Sequence, residues 1–126
     1  MKPFGWVLCL LSFAGLTACE QNASSMRQKS DYTGNFYTAE GQCPESAELS
    51  VSLGNKHVDI TFFCFIRACY TAKAKLSPSG FFEMRKSDYE FLHGRLSAER
   101  ATGNWTLVIN GEKCKGRFEA DRMQPQ

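Results

Sequence analysis

The sequence predicts an all-β domain: a small antiparallel up-and-down meander of about eight strands, closed as a barrel or folded as a two-layer sandwich, and stapled by disulfides. Three observations predict it. From Tyr32 to Ala120 apolar and polar residues alternate with a period of two, the mark of strands with one buried face. The interruptions are short and carry turn residues, so successive strands are antiparallel neighbours. Four cysteines, Cys43, Cys64, Cys69 and Cys114, lie in this stretch, an even number that fits two disulfides made in an oxidising compartment.

Each strand follows from its own alternation. Tyr32, Gly34 and Phe36 give the first inward face, and Ala47, Leu49, Val51 and Leu53 the second. Gly54-Asn55 turns the chain into the third strand, with Val58, Ile60, Phe62 and Cys64 inward. The fourth presents Tyr70, Ala72, Ala74 and Leu76, and ends at Ser77-Pro78-Ser79-Gly80. Phe82 and Met84 mark the fifth strand, and Leu92, Gly94, Leu96 and Ala98 the sixth. Ala101-Thr102-Gly103 reads as the break before the seventh, which carries Trp105, Leu107 and Ile109. Asn110-Gly111, a strong signal for a type I′ hairpin, leads to the eighth, with Cys114, Gly116, Phe118 and Ala120 inward. Gly34, Gly94 and Gly116 fall on the inward face, where they relieve crowding and let a sheet bend. No stretch has the period of an amphipathic helix, and residues 87–90 have room for one turn at most.

A meander constrains the cysteines. The ends of odd strands and the starts of even strands share one end of the domain, and all four cysteines fall there. Cys64 and Cys69 flank the connection Phe65-Ile66-Arg67-Ala68 and are placed to pair across it. Cys43 and Cys114 then join the first strand to the last. The competing arrangement, Cys43–Cys64 with Cys69–Cys114, stays open at this point.

The chain start has a different character. Lys2 precedes an apolar run from Trp6 to Leu16, broken by Ser12 and Gly15 and followed by Thr17-Ala18-Cys19. The run is about half the ~20 residues of a membrane-spanning helix and has the length of an export signal. Leu16-Thr17-Ala18-Cys19 resembles the lipobox of bacterial lipoproteins. The resemblance implies that residues 1–18 are a signal peptide, that Cys19 is lipidated and becomes the first mature residue, and that the chain is held to a membrane. Glu20 after the cysteine implies, by the sorting rule of Gram-negative lipoproteins, an outer-membrane position facing the periplasm. Residues 19–30 then form a lipidated N-terminus and a polar tether, whose coil of about 11 residues spans roughly 18 Å. A single β domain covers 31–122, and 123–126 is a frayed tail.

Charge and composition narrow the function. The formal charge of +2 falls to about +1 once Lys2 leaves, with charges dispersed along the chain, which is not the field of a nucleic-acid binder. The two histidines, His57 and His93, have no metal-ligand spacing, so no metal and no cofactor is expected. Four residues separate Cys64 from Cys69, too many for a redox Cys-x-x-Cys, and Asp88 and Glu90 read as a solvated turn. The chain is therefore expected not to be an enzyme.

The candidate site is the tip around Cys64–Cys69. Phe63 and Phe65 break the alternation on the outward face of the third strand, Ile66 lies at the apex, and Arg67 follows. Clustered apolar groups beside an arginine on a stapled loop have the composition of a protein-binding hot spot. The competing reading is that they fold back to cap the core. A second candidate is the outward basic set Lys73, Lys75, Arg85 and Arg95. The leading expectation is a non-catalytic module that binds an envelope protein. The lysozyme-inhibitor lipoproteins are a similar class, small, lipid-anchored and disulfide-bonded, and a lysozyme or cell-wall hydrolase inhibitor is one alternative. This chain lacks their Ser- and Gly-rich inhibitory loop. A small apolar-ligand carrier is the other alternative, although Phe36, Phe62, Phe82, Met84, Trp105 and Phe118 are enough to fill so small an interior.

Overall fold

The computed structural model describes residues 30–123. The expected signal peptide 1–18, Cys19, the expected tether up to residue 29 and residues 124–126 of the expected tail lie outside that range. The described residues form β1 (Tyr32–Glu40), β2 (Ser46–Leu53), β3 (His57–Cys64), β4 (Arg67–Leu76), β5 (Phe81–Ser87), β6 (Glu90–Leu96), β7 (Arg100–Ile109) and β8 (Glu112–Arg122). Each strand pairs antiparallel with the next. β8 returns to β1, with Tyr32 opposite Arg122 and Phe36 opposite Phe118, so the sheet closes as a barrel and not as a sandwich.

The inward positions are those that alternation selects, except at Leu53, which is exposed at the end of β2, and Ala98, which lies outside β6, and aromatic rings dominate them. Phe36, Phe62 and Trp105 contact one another, with centroids 5.0 Å apart for the phenylalanine pair and 5.6 Å from each to Trp105. Tilted and edge-on ring pairs of this kind contribute roughly 0.5–1.5 kcal/mol each beyond the burial of their area. The Trp105 indole N–H is not stranded in this apolar setting, since it donates to the Arg117 carbonyl at 3.0 Å. Phe82 stacks on Phe118 at 6.1 Å. That second stack needs small neighbours. A methyl added at Gly94 would meet the Phe82 ring at 2.6 Å, and one at Gly103 would meet the Phe118 ring at 2.6 Å. Gly94 and Gly103 are cross-strand partners, so together they open the hollow that both rings occupy.

This packing corrects the seventh strand. Ala101, Thr102 and Gly103 are not a break but part of β7, because Gly103 serves ring packing and not a turn. The break lies at residues 97–99. There the Ser97 hydroxyl accepts from the N–H groups of Glu99 at 3.3 Å and Arg100 at 3.0 Å. β6 accordingly ends at Leu96 and does not include Ala98. Turn chemistry holds elsewhere. Asn110 and Gly111 take φ of 52° and 84°, both positive as a type I′ turn requires.

Both disulfides lie at the end of the barrel opposite Tyr32, as Cys43–Cys114 and Cys64–Cys69. The competing pairing is excluded. Cys114 belongs to the core, and Cys43, Cys64 and Cys69 pack against it, so the sulfurs close the interior at that end. One seam is short. β4 and β5 pair only at Lys75–Glu83 and Leu76–Phe82, whereas β7 and β8 pair from Arg100–Asp121 through to Ile109–Glu112.

Loop length orders the two crosslinks. A sequence separation of 71 for Cys43–Cys114 corresponds to about 4 kcal/mol in the chain-entropy model, and a separation of 5 for Cys64–Cys69 to about 2 kcal/mol. Replacing Cys43 and Cys114 by alanine is therefore expected to cost about twice what the same change at Cys64 and Cys69 costs, read from urea unfolding midpoints. Gly103→Ala is expected to lose about 1–3 kcal/mol through overpacking against Phe118, seen as a lower thermal midpoint.

Candidate functional site

The β3–β4 hairpin has a tighter apex than its spacing suggests. Cys64 pairs with Arg67, leaving Phe65 and Ile66 as a two-residue turn, and Arg67 and Ala68 already belong to β4. A bulge absorbs the extra residue: Phe62 is opposite Tyr70 but Phe63 is opposite Ala68, so Cys69 has no cross-strand partner. The disulfide to Cys64 ties this bulged residue down. Phe65 has a φ of 65°, a left-handed conformation that costs a non-glycine residue about 1–2 kcal/mol. Strain of this kind is held where the surrounding structure over-determines the chain, and here the staple does so.

The side chains at this apex point away from the barrel. Phe65 is 88% and Ile66 80% exposed, and Arg67 beside them is exposed too. They do not fold back to cap the core, a role taken by the cystine sulfurs. Phe63 stands apart from the other three tip residues. It is 0% exposed and does not belong to the interior cluster. Its outward position on β3 is shared with Thr61, which is also buried, as is the cross-strand partner of Thr61, Ser50. The accessible patch is thus Phe65, Ile66 and Arg67.

Next to the patch lies an open groove of about 640 Å³ between the hairpin and the β1–β2 loop. Both disulfides contribute to its walls, with Pro44, Phe65, Arg67 and Asn110. Tyr89, in the β5–β6 turn at the same end, is another exposed aromatic, and the Lys113 ammonium lies 4.0 Å from its ring centroid. Below the tip, the Tyr70 hydroxyl donates to Glu90 Oε1 at 2.7 Å. Burial, this hydrogen bond and the nearby carboxylate, in that order, push the Tyr70 phenol above its ordinary range.

The other singled-out residues do not converge. His57 is 3.4 Å from Asp59 at the opposite end, while His93 stacks on Phe81 on the outer wall. Among the described residues no three of His, Cys, Asp and Glu gather as a metal site. Lys73, Lys75, Arg85 and Arg95 are exposed, with Arg85 3.7 Å from Asp88 and 4.4 Å above the Phe91 ring. The Tyr70–Glu90 contact was not legible in the sequence, since the two residues lie on strands that are not neighbours in the meander. A shallow groove of about 480 Å³ beside Tyr37 and Arg117 was equally hidden, because alternation gives the direction of a side chain and not what lies beside it. No family model, no curated protein and no solved structure matches this chain.

The Tyr70 environment has a measurable consequence. A phenol whose folded value is raised keeps its proton when the unfolded chain loses it near pH 10. Its stabilising contribution is therefore complete below that pH and is lost as pH rises through the folded value. Tyr70→Phe is expected to remove one high-pH step from the tyrosinate absorbance titration. It is also expected to flatten the fall in unfolding free energy above pH 10.

Proposed function

We propose that this chain is a lipoprotein of the bacterial envelope, anchored through lipid on Cys19 and facing the periplasm, and that its barrel is a non-catalytic protein-binding module. The outer membrane is the membrane that Glu20 favours. The observation that carries the binding reading is the exposure of two adjacent large apolar side chains, Phe65 at 88% and Ile66 at 80%, on a disulfide-closed hairpin. Covering such a side chain contributes roughly 1.5–3 kcal/mol. A partner gains that term while the loop, already ordered by its staple, gives up little entropy. Arg67 adds five N–H donors at the edge of the same patch.

The topology supports the same reading. The described chain starts at one end of the barrel and the tip lies at the other. Strands of this length, tilted as in small barrels, separate the two ends by roughly 20–25 Å. A domain tethered on its N-terminal side would hold the tip away from the bilayer, toward soluble or wall-bound proteins. The ring-filled interior favours this module over an apolar-ligand carrier, which needs an empty one. A hydrolase inhibitor is the special case in which the partner is a lytic enzyme and the tip enters its cleft.

The test is a crosslinking pull-down from envelope extract with the whole protein as bait, beside a Phe65→Ser, Ile66→Ser variant with an unchanged melting curve. Capture of a partner that the variant loses by about tenfold or more is the expected result. Equal capture by both baits would move the site away from the tip. No capture by either, with binding to lipid vesicles instead, would sink the protein-binding reading. Inhibition of a lytic enzyme by the protein but not by the variant would identify the partner class.

A further inference from the structure

The barrel wall is incomplete along one seam. Beside the turn at residues 77–80, β4 and β5 pair at Lys75–Glu83 and Leu76–Phe82, and there the ladder stops. β4 runs on from Ala74 to Arg67, and β5 from Met84 to Ser87, with no ladder pair between them. Both continue toward the end that carries the tip.

Backbone direction fixes which groups face this gap. The Leu76 N–H donates to the Lys56 carbonyl on the β3 side at 3.0 Å, and the Ser77 N–H to the Phe81 carbonyl on the β5 side at 2.8 Å. Successive residues of an antiparallel strand turn their N–H and C=O groups to opposite neighbours. Lys75, Lys73 and Thr71 therefore face β5, and only Lys75 has a ladder partner there. On β5, the Leu96 N–H donates to the Gly80 carbonyl at 2.7 Å, which assigns the even positions to β6 and turns Glu83 and Arg85 toward β4. Arg85 has no partner in β4. Near the distal end long side chains span the gap: Tyr70 reaches Glu90 at 2.7 Å, and the Lys86 ammonium lies 5.9 Å from the Tyr70 ring centroid.

An unpaired antiparallel edge is a template for another strand. The side chains around it specify the strand's chemistry. Lys73, Lys75, Arg85 and Arg95 are exposed on the outer face, Lys86 is exposed at the distal end of the gap, and Glu83 is already opposite Lys75. On the inner face Ala72 and Ala74 are buried and Tyr70 and Met84 half-buried, so that side is small and apolar. A second copy of this chain would bring the same lysine-bearing edge against itself and is disfavoured by like charge. We infer that the open β4–β5 seam is a strand-addition site, at which an extended acidic segment of a partner protein, with apolar residues at alternate positions, pairs with the edge of β4. The inference deepens the binding-module reading and does not depend on the tip.

The experiment is amide hydrogen exchange followed by NMR on the whole protein, with three peptide probes of nine residues. One alternates glutamate with valine, the second is the same peptide N-methylated at alternate amides, and the third alternates lysine with valine. In the free protein the Thr71 and Lys73 amides are expected to exchange at least about tenfold faster than those of Ala72 and Ala74, which face β3. The glutamate peptide is expected to slow them about tenfold, and the other two are not. Lys73→Glu with Lys75→Glu removes the protection, whereas Phe65→Ser with Ile66→Ser leaves it intact. Thr71 and Lys73 amides already as protected as Ala72, no slowing by the glutamate peptide, or equal slowing by the N-methylated or lysine peptide would each overturn the inference. Tip-dependent capture surviving such a failure would leave the tip reading standing. Strand addition without tip-dependent capture would leave the seam alone.

Discussion

The rest of the structure depends on how rings share a small closed interior. A barrel of eight short strands leaves little internal volume, and its inward positions cannot all carry large side chains. The packing is solved by pairing bulk with absence. Phe36, Phe62 and Trp105 wedge against one another, and Phe82 and Phe118 stack over the hollow made by Gly94 and Gly103. Glycine in a strand normally weakens it, but here it is the condition for the stack. Closure of β8 onto β1 follows, because Phe118 and Phe36 are cross-strand partners on that last seam.

With the middle of the barrel filled by rings, the two ends are free to differ. At the N-terminal end a polar network closes the wall: Tyr32 donates to the Ser97 carbonyl at 2.8 Å and accepts from Arg122 at 3.3 Å. At the other end the sulfurs of two disulfides pack on the core. Because those sulfurs cover the interior, Phe65 and Ile66 are not needed there. A hairpin released from a packing role but still crosslinked can hold apolar groups in water, and can hold Phe65 at a positive φ. The exposed tip and the short β4–β5 seam thus belong to the same half of the molecule, the half where covalent bonds take over from ladder and core.

Alternation, turn dipeptides and cysteine positions are local signals, and they carried far. The inward faces, the Asn110-Gly111 hairpin and the gathering of four cysteines at one end could all be read from neighbours in sequence. Misreadings arose where a local signal had a non-local cause. Ala101-Thr102-Gly103 resembled a turn, but Gly103 is small because of Phe118 on the next strand. Phe63 had the outward position of a tip residue, yet it is buried, and a period-two pattern states direction without stating what covers a side chain. The bulge at Cys69 shortened the apex by changing register against Phe63, a relation between strands that neither strand carries alone.

By itself the sequence determined the all-β class, the order of the strands, the inward residues and the end of the molecule at which crosslinks form. These follow from a side-chain period of two and from the turn residues that reverse the chain. Tertiary structure alone decided that the sheet closes as a barrel, which cysteines pair, how exposed Phe65 and Ile66 are, and that β4 parts from β5 beyond Lys75. Each of those depends on the distance between strands. That distance is set by the ring packing and the bulges of the whole barrel, not by any stretch of neighbouring residues.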